Sequence, residues 1–135
     1  MSFDQSRQDV VELIEGQLRP GETVRAVLPF ALTPKRPKDA QGKVRVGIYQ
    51  SYRRYRPLLV TNERVFVFET GRTPHPRQVL AQFPAHDVKV VTITPKRTGL
   101  NTLVLDLPSI GPVPFEIGRY EQEELAALAA TLDEL

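Results

Sequence analysis

The sequence of 135 residues contains no cysteine and no tryptophan, and it has a single methionine. The absence of cysteine excludes disulfides, thiolate metal sites and cysteine nucleophiles together. No stretch approaches the ~18–20 consecutive apolar residues that a membrane-spanning helix needs. The first residues carry Asp4, Asp9, Glu12 and Glu15, whereas a secretory signal begins with basic residues followed by an apolar run. By elimination, the sequence predicts a cytoplasmic protein.

What the chain does contain is an ordinary globular composition, with 41% hydrophobic and 25% charged residues. A chain of this length has enough surface to bury one core, so a single globular unit is expected. The twelve prolines and eight glycines favour many turns between short elements.

The charge is unevenly distributed, although the net charge of the chain is only +2. Residues 33–56 carry a net charge of +7, and the remaining residues carry −5. A basic segment on an acidic body is a local electrostatic feature that favours phosphates, an acidic partner or a second copy of the chain. Its basic residues are Lys35, Arg36, Lys38, Lys43, Arg45, Arg53, Arg54 and Arg56.

Both ends of the chain show helical spacing of apolar residues. Near the N-terminus, Ser6 is the expected cap, and Pro20-Gly21 ends the segment. The last segment begins with acidic residues, as the helix dipole favours, and carries an apolar stripe that predicts burial. The stripe consists of Leu125, Leu128, Ala129, Leu132 and Leu135.

Between these helices, apolar residues alternate with a period of two, which predicts strands. Seven short strands are expected, at about 23–28, 56–61, 65–70, 79–83, 88–94, 102–107 and 113–117. Because helices do not alternate with these strands, a doubly wound parallel sheet is disfavoured. The pattern indicates an antiparallel sandwich or partly open barrel that the C-terminal helix closes.

Seven strands followed by a closing helix resemble the layout of pleckstrin-homology-like (PH-like) domains. The sequence is similar to bacterial PH-like proteins at Pro20-Gly21-Glu22, in the hairpin from Pro57 to Phe68, and in the closing helix from Gly118 to Leu132. The resemblance implies a mainly β fold with α-helices, in which a C-terminal helix caps a seven-stranded antiparallel partly open barrel or orthogonal sandwich. The PH-like unit, with its basic insertion, is expected at residues 22–135, after an N-terminal helix and turn at 1–21. PH-like domains bind lipids, peptides or proteins, or serve as scaffolds, so the resemblance implies no single ligand.

The connection between the first two predicted strands is unusually long and forms a basic insertion at about 30–55. Lys43-Val44-Arg45 resembles the end of the signature with which eukaryotic PH domains bind phosphoinositides. Alternation from Lys43 to Tyr49 predicts an extra hairpin that extends strand one and turns near residues 37–42. Its apolar face needs a cover, which predicts self-association.

Aromatic and basic residues interleave at the end of this insertion, where Tyr49, Tyr52 and Tyr55 recur every third residue. They form either a surface for phosphate or single-stranded nucleic acid, or a ribbon whose tyrosines pack while its arginines stay solvated. The second interpretation is favoured because runs of charge are usually solvated faces. The candidate site for an anionic ligand or partner is Lys35, Arg36, Lys38, Lys43, Arg45, Tyr49, Tyr52, Arg53, Arg54 and Arg56.

No motif for catalysis, metal or cofactor binding is present. His75 and His86 lie beside turns without ligand spacing, and Ser109 lacks the setting of a nucleophile elbow. We therefore expect a non-catalytic binding, adaptor or scaffold domain that self-associates, with a further copy or another protein as its partner. The alternative is peripheral binding to an anionic membrane surface through the basic segment at 35–56. A second, less favoured alternative is nucleic-acid binding through the same segment.

Overall fold

A computed structural model of the chain describes residues 2–34, 53–95 and 99–135. These residues form two helices and nine strands in two antiparallel sheets, and neither helix has the length and apolarity to cross a membrane. The elements are α1 (Phe3–Ile14), β1 (Val24–Leu28), β2 (Leu32–Thr33), β3 (Arg54–Tyr55), β4 (Leu58–Thr61), β5 (Arg64–Thr70), β6 (Pro76–Pro84), β7 (Lys89–Pro95), β8 (Asn101–Leu107), β9 (Gly111–Ile117) and α2 (Gln122–Asp133). The first sheet has the order β1-β4-β5-β6, and the second has the order β3-β2-β9-β8-β7.

The seven longer strands are those that the alternation predicts, and the two sheets form an open structure. The fold class is therefore confirmed as mainly β with two antiparallel sheets and a helix at each end of the chain. The two additional strands, β2 and β3, are only two residues long and pair through Leu32↔Tyr55 and Thr33↔Arg54. This pairing joins the two ends of the basic insertion and attaches them to the second sheet, where Leu32 pairs with Glu116 of β9.

The main core lies between the two sheets and is covered by α2. Leu125, Leu128 and Leu132 are buried against inward-facing residues of both sheets, as the stripe predicts. Two members of the stripe are exceptions: Ala129 is half-buried, and Leu135 is 52% exposed because the helix already ends at Asp133. Burial of the other three leucines confirms that the C-terminal helix closes the sandwich.

A second, smaller core lies on the outer face of the first sheet, where α1 packs. Val10 and Ile14 of the helix are fully buried against apolar side chains of β1, β4 and β5. The prediction that Ser6 caps this helix is wrong, because the N-cap is Ser2, whose Oγ accepts a hydrogen bond from the backbone N–H of Gln5 at 3.1 Å. Ser6 is instead buried within the helix.

The residues that carry the PH-like resemblance form a polar network at one end of the first sheet. The buried Glu22 carboxylate accepts hydrogen bonds from Arg64 at 2.6 and 2.9 Å and from the Thr61 hydroxyl at 2.6 Å. The Arg64 hydrogen bonds hold the pKa of Glu22 at about 2, below its ordinary value of 4.5. Asn62 accepts a hydrogen bond from the N–H of Thr23 at 2.8 Å. These residues fix the approach of the chain to β1, so their role is structural.

Two carboxylates at the start of α2 bind the backbone of the first strand region. Glu124 accepts hydrogen bonds from the N–H of Val27 at 3.1 Å and from Nε of Arg7 at 2.8 Å. Glu121, which is only 1% exposed, accepts one from the N–H of Phe30 at 3.1 Å. Burial raises the pKa of Glu121 to about 7. Glu124 therefore attaches the start of α2 to β1, and Glu121 attaches it to the turn that follows β1.

Candidate functional site

Only three of the ten residues proposed for the site lie in the part of the chain that the structure describes. Arg53, Arg54 and Arg56 are described, and the predicted extra hairpin lies outside the described residues. The other seven proposed residues also lie outside them: Lys35, Arg36, Lys38, Lys43, Arg45, Tyr49 and Tyr52.

Arg56 differs from the prediction of a surface cation, because its side chain is buried and only 2% exposed. The chain crosses from β3 in the second sheet to β4 in the first sheet at this point. The N–H of Arg56 donates to the carbonyl oxygen of Ala31 at 2.8 Å, and its Nη1 donates to the carbonyl oxygen of Tyr55 at 3.0 Å. A ligand at the surface therefore does not reach the Arg56 guanidinium.

Arg54 lies beside the end of β5, where the two sheets meet. The Thr70 hydroxyl donates to the carbonyl oxygen of Tyr55 at 2.8 Å, and Nη2 of Arg54 donates to the carbonyl oxygen of Thr70 at 3.3 Å. These bonds hold β3 next to the loop that follows β5. The base of the basic insertion and this loop therefore share one surface.

That shared surface is concave and rich in arginine. A depression of about 550 Å³, which we call the basic concavity, is lined by Arg54, Gly71, Arg72, Thr73, His75 and Arg77. None of these lining residues is a carboxylate, and Arg72 and Arg77 are both exposed. Arg53 and Arg54 also line a smaller adjoining depression of about 240 Å³. The loop thus adds two arginines to the basic end of the insertion.

Gly71 allows the Arg77 guanidinium to lie close to the loop backbone. A Cβ atom at position 71 would lie 2.7 Å from Nη2 and 3.0 Å from Cζ of Arg77, closer than van der Waals contact permits. Any larger residue at this position therefore displaces the guanidinium. Because the displaced atoms are the far end of a flexible side chain, such a substitution changes the concavity more than it changes the stability of the fold.

Two carboxylates lie next to residues of this region. Glu116 forms an ion pair with Arg53 at 2.5 Å, and Asp9 of α1 lies 3.6 Å from Nδ1 of His75. Within residues 2–34, 53–95 and 99–135, Arg72 and Arg77 have no ion pair. The basic concavity therefore presents two guanidinium groups without an ion pair to a described residue, which favours a small anion or an anionic headgroup.

Sequence reasoning missed Arg72 and Arg77, because it treated residues 71–77 only as a loop. The available signal was the register of the β4–β5 hairpin, in which Leu58 pairs with Val67. Continuing that register brings Tyr55 next to Thr70 and therefore places Arg54 beside the loop. Counting the charges of residues 71–77 together with those at the end of the basic insertion would have identified this surface.

The chemistry that this surface offers is recognition of anions. Arginine guanidinium groups bind phosphate and carboxylate oxygens through paired hydrogen bonds, and Thr73 adds a hydroxyl. The described part of the chain holds no cluster of three or more histidine, aspartate and glutamate residues that is suited to a metal ion. Binding of a phosphate-like group is the activity that these residues support.

Comparison with solved structures gives similarities, while the sequence comparisons do not. No protein-family model matches the sequence, and no curated protein matches it. The structure is similar to a solved structure of the PH domain from TgAPH, with a TM-score of 0.40 and 10% sequence identity. The similarity covers 96% of this chain and 84% of that chain.

Proposed function

We propose that the chain is a non-catalytic binding domain that attaches to anionic membrane surfaces, with lipid phosphates entering the basic concavity. The observation that supports this proposal is the convergence of Arg54, Arg72 and Arg77 on one depression, whose described lining residues include no carboxylate. The basic insertion begins and ends beside this depression, since β2 and β3 close its base. The anionic-surface hypothesis therefore rests on two segments of the chain rather than one.

The expected strength of attachment follows from the charge. A basic residue close to an anionic leaflet contributes about 1 kcal/mol, so Arg72 and Arg77 together contribute ~2 kcal/mol. This contribution corresponds to roughly a 30-fold change in affinity, at about 1.4 kcal/mol for each factor of ten. Because the groups are exposed, salt screens the attraction over a distance of about 8 Å at physiological ionic strength. Binding is therefore expected to be weak and salt-sensitive.

Nucleic-acid binding is less favoured by the same surface. Proteins that bind single strands present aromatic rings on which the bases stack. Among the described residues that line the basic concavity, the only ring is the imidazole of His75. Tyr55 lines the smaller adjoining depression instead. Guanidinium groups around a described lining with one imidazole fit a headgroup phosphate better than a chain of bases.

Co-sedimentation with vesicles tests the proposal. Wild-type protein is expected to bind vesicles of phosphatidylcholine mixed with phosphatidylglycerol, and to be released by raised salt or by omission of phosphatidylglycerol. The double variant Arg72→Ser/Arg77→Ser should bind roughly 30-fold more weakly. Gly71→Ala should also weaken binding, because it displaces the Arg77 guanidinium without removing a charge.

The matched control is the double variant Arg25→Ser/Arg119→Ser. It removes the same charge from exposed positions that do not line the basic concavity. It should retain most of the binding, and thermal unfolding of each variant shows whether it is folded. Equal losses in both double variants would mean that net charge alone drives attachment, and unchanged binding by the Arg72/Arg77 variant would exclude the concavity.

A further inference from the structure

The four edge strands of the two sheets are protected to different degrees. The edge strand β1 is covered by α2, and Glu124 accepts the outward hydrogen bond of Val27. The edge strand β6 has a proline at each end and exposes Arg77, Gln78 and Gln82. The edge strand β3 is two residues long and adjoins the basic insertion. Short length, proline, charge and a covering helix are the usual means by which proteins prevent edge pairing.

The remaining edge, β7, is protected by Lys89 at its start, a β-bulge at Val91 and Pro95 at its end, and its other residues carry neither charge nor proline. It is seven residues long, and every residue except Val90 is exposed. Val91 and Ile93 are 53% and 38% exposed, although they are apolar β-branched residues. Lys89, at the start, is its only charged residue. Among the described residues β7 pairs with β8 alone, so one row of its backbone donors and acceptors faces outward.

We propose that β7 pairs antiparallel with β7 of a second copy of this chain, about a two-fold axis at Thr92. Thr92 is the central residue of the strand, so this register pairs the largest number of residues. It places Val91 opposite the partner's Ile93 on each side of the axis. The dimer would join the two five-stranded sheets into one continuous sheet.

A second copy fits this edge because the strand is complementary to itself in the antiparallel direction. A two-fold interface requires the same patch to match itself, and here each copy supplies an exposed apolar residue opposite the other. The charges do not oppose the pairing, since Lys89 lies opposite the partner's Pro95. The β-bulge at Val91 bends the strand, and each regular half, Thr92 to Pro95, lies opposite the partner's bulged half, so the pairing is centred on Thr92. Exposed β-branched residues and an unpaired ladder favour this association.

This interface is separate from the proposed membrane site. The basic concavity includes β3, which lies at the opposite edge of the second sheet. The variant Arg72→Ser/Arg77→Ser should therefore still dimerise, and disruption of β7 should leave vesicle binding by the monomer intact. The two proposals can consequently be refuted independently.

The chain contains no cysteine, so single cysteine substitutions report the pairing without background. Across the proposed axis, the two Thr92 Cα atoms would be about 4.5–5.5 Å apart, within the range of a disulfide. The two Thr94 Cα atoms would be separated by four residues along the strands, about 14 Å. Thr94 is an ideal control because it is the same residue type, on the same strand and also exposed.

The experiment combines oxidative cross-linking of Thr92→Cys and Thr94→Cys in the full chain with sedimentation equilibrium of the wild type. The expected result is a concentration-dependent dimer mass, rapid dimer cross-linking through position 92 and little through position 94. The Thr92→Lys variant places two ammonium groups opposite each other, so it should be more monomeric than the wild type at the same concentration. A monomeric mass at all concentrations would overturn the proposal. The β7 edge would then be available to pair with a strand of another protein. Equal cross-linking at positions 92 and 94 would overturn it as well, since it indicates random collision.

Discussion

The buried ion pair between Glu22 and Arg64 should make part of the stability depend on acid. The pKa of Glu22 is lowered from 4.5 to about 2, mainly by the Arg64 hydrogen bonds. At about 1.4 kcal/mol for each pH unit between the two values, ionised Glu22 contributes ~3 kcal/mol at neutral pH. Because the unfolded state takes up a proton first as the pH falls, this stability is present above pH 4.5 and is lost as the pH approaches 2. About 2 kcal/mol of it should be lost by pH 3.

The perturbation that isolates this effect is Glu22→Gln, measured by urea unfolding at pH 7, 5 and 3. The chain lacks tryptophan, so far-ultraviolet circular dichroism is the suitable signal. Wild type should be more stable than the variant by ~3 kcal/mol or more at pH 7, because the variant leaves a buried guanidinium without its carboxylate. The difference should shrink by about 2 kcal/mol at pH 3, since other titrating groups cancel between the two proteins.

The control for this measurement is Glu63→Gln in the neighbouring turn. The Glu63 side chain is 33% exposed and reaches Arg19 only at 3.5 Å, so its removal should cost less than about 1 kcal/mol. A stability difference between wild type and Glu22→Gln that stays constant from pH 7 to pH 3 would refute the reasoning. It would mean that the cost of the substitution comes from packing and not from the ionised carboxylate.

Two further predictions concern the closing helix. Glu121→Gln should stabilise the protein at about pH 8.5 by up to ~3 kcal/mol and by much less at pH 5. The reason is that the buried Glu121 carboxyl, whose pKa is raised to about 7, is destabilising once it is ionised. An equal effect at the two pH values in urea unfolding would contradict this. Leu128→Ala should cost ~2–5 kcal/mol in the same assay, because Leu128 is fully buried beneath the helix. The exposed Leu135→Ala should change stability by less than about 0.5 kcal/mol, and equal effects of the two would show that α2 is not packed on the sheets.

Periodicity was sufficient to predict the architecture, because it reports which face of an element is buried. Strands such as β8 alternate between buried leucines and more exposed residues, and the leucines of α2 recur at helical spacing. The ends of the helices were less predictable. Two serines, Ser2 and Ser6, are both suitable N-caps, and the choice between them depends on which residues α1 buries against the first sheet.

The candidate site was only partly predictable, because it depends on contacts between distant segments. No sequence pattern distinguishes an exposed arginine from a buried one. The burial of Arg56, where the chain crosses between the sheets, could therefore not be predicted. The proximity of Arg54 to Arg72 and Arg77 required the pairing of β3 beside the end of β5. The exposure of β7 required the strand order, since its alternation alone resembles that of a protected strand.

The contact between Glu124 and Val27 has a consequence for synthesis. The carboxylate that completes the outer edge of the first strand is made 97 residues after the amide that it accepts. At typical translation rates this interval is roughly 5–20 s, during which β1 emerges with its edge exposed. The same carboxylate also accepts a hydrogen bond from Arg7 of α1, so α1 and β1 become fixed together only after α2 has been synthesised. A ribosome-bound chain truncated before Glu124 should therefore remain sensitive to proteases at its beginning.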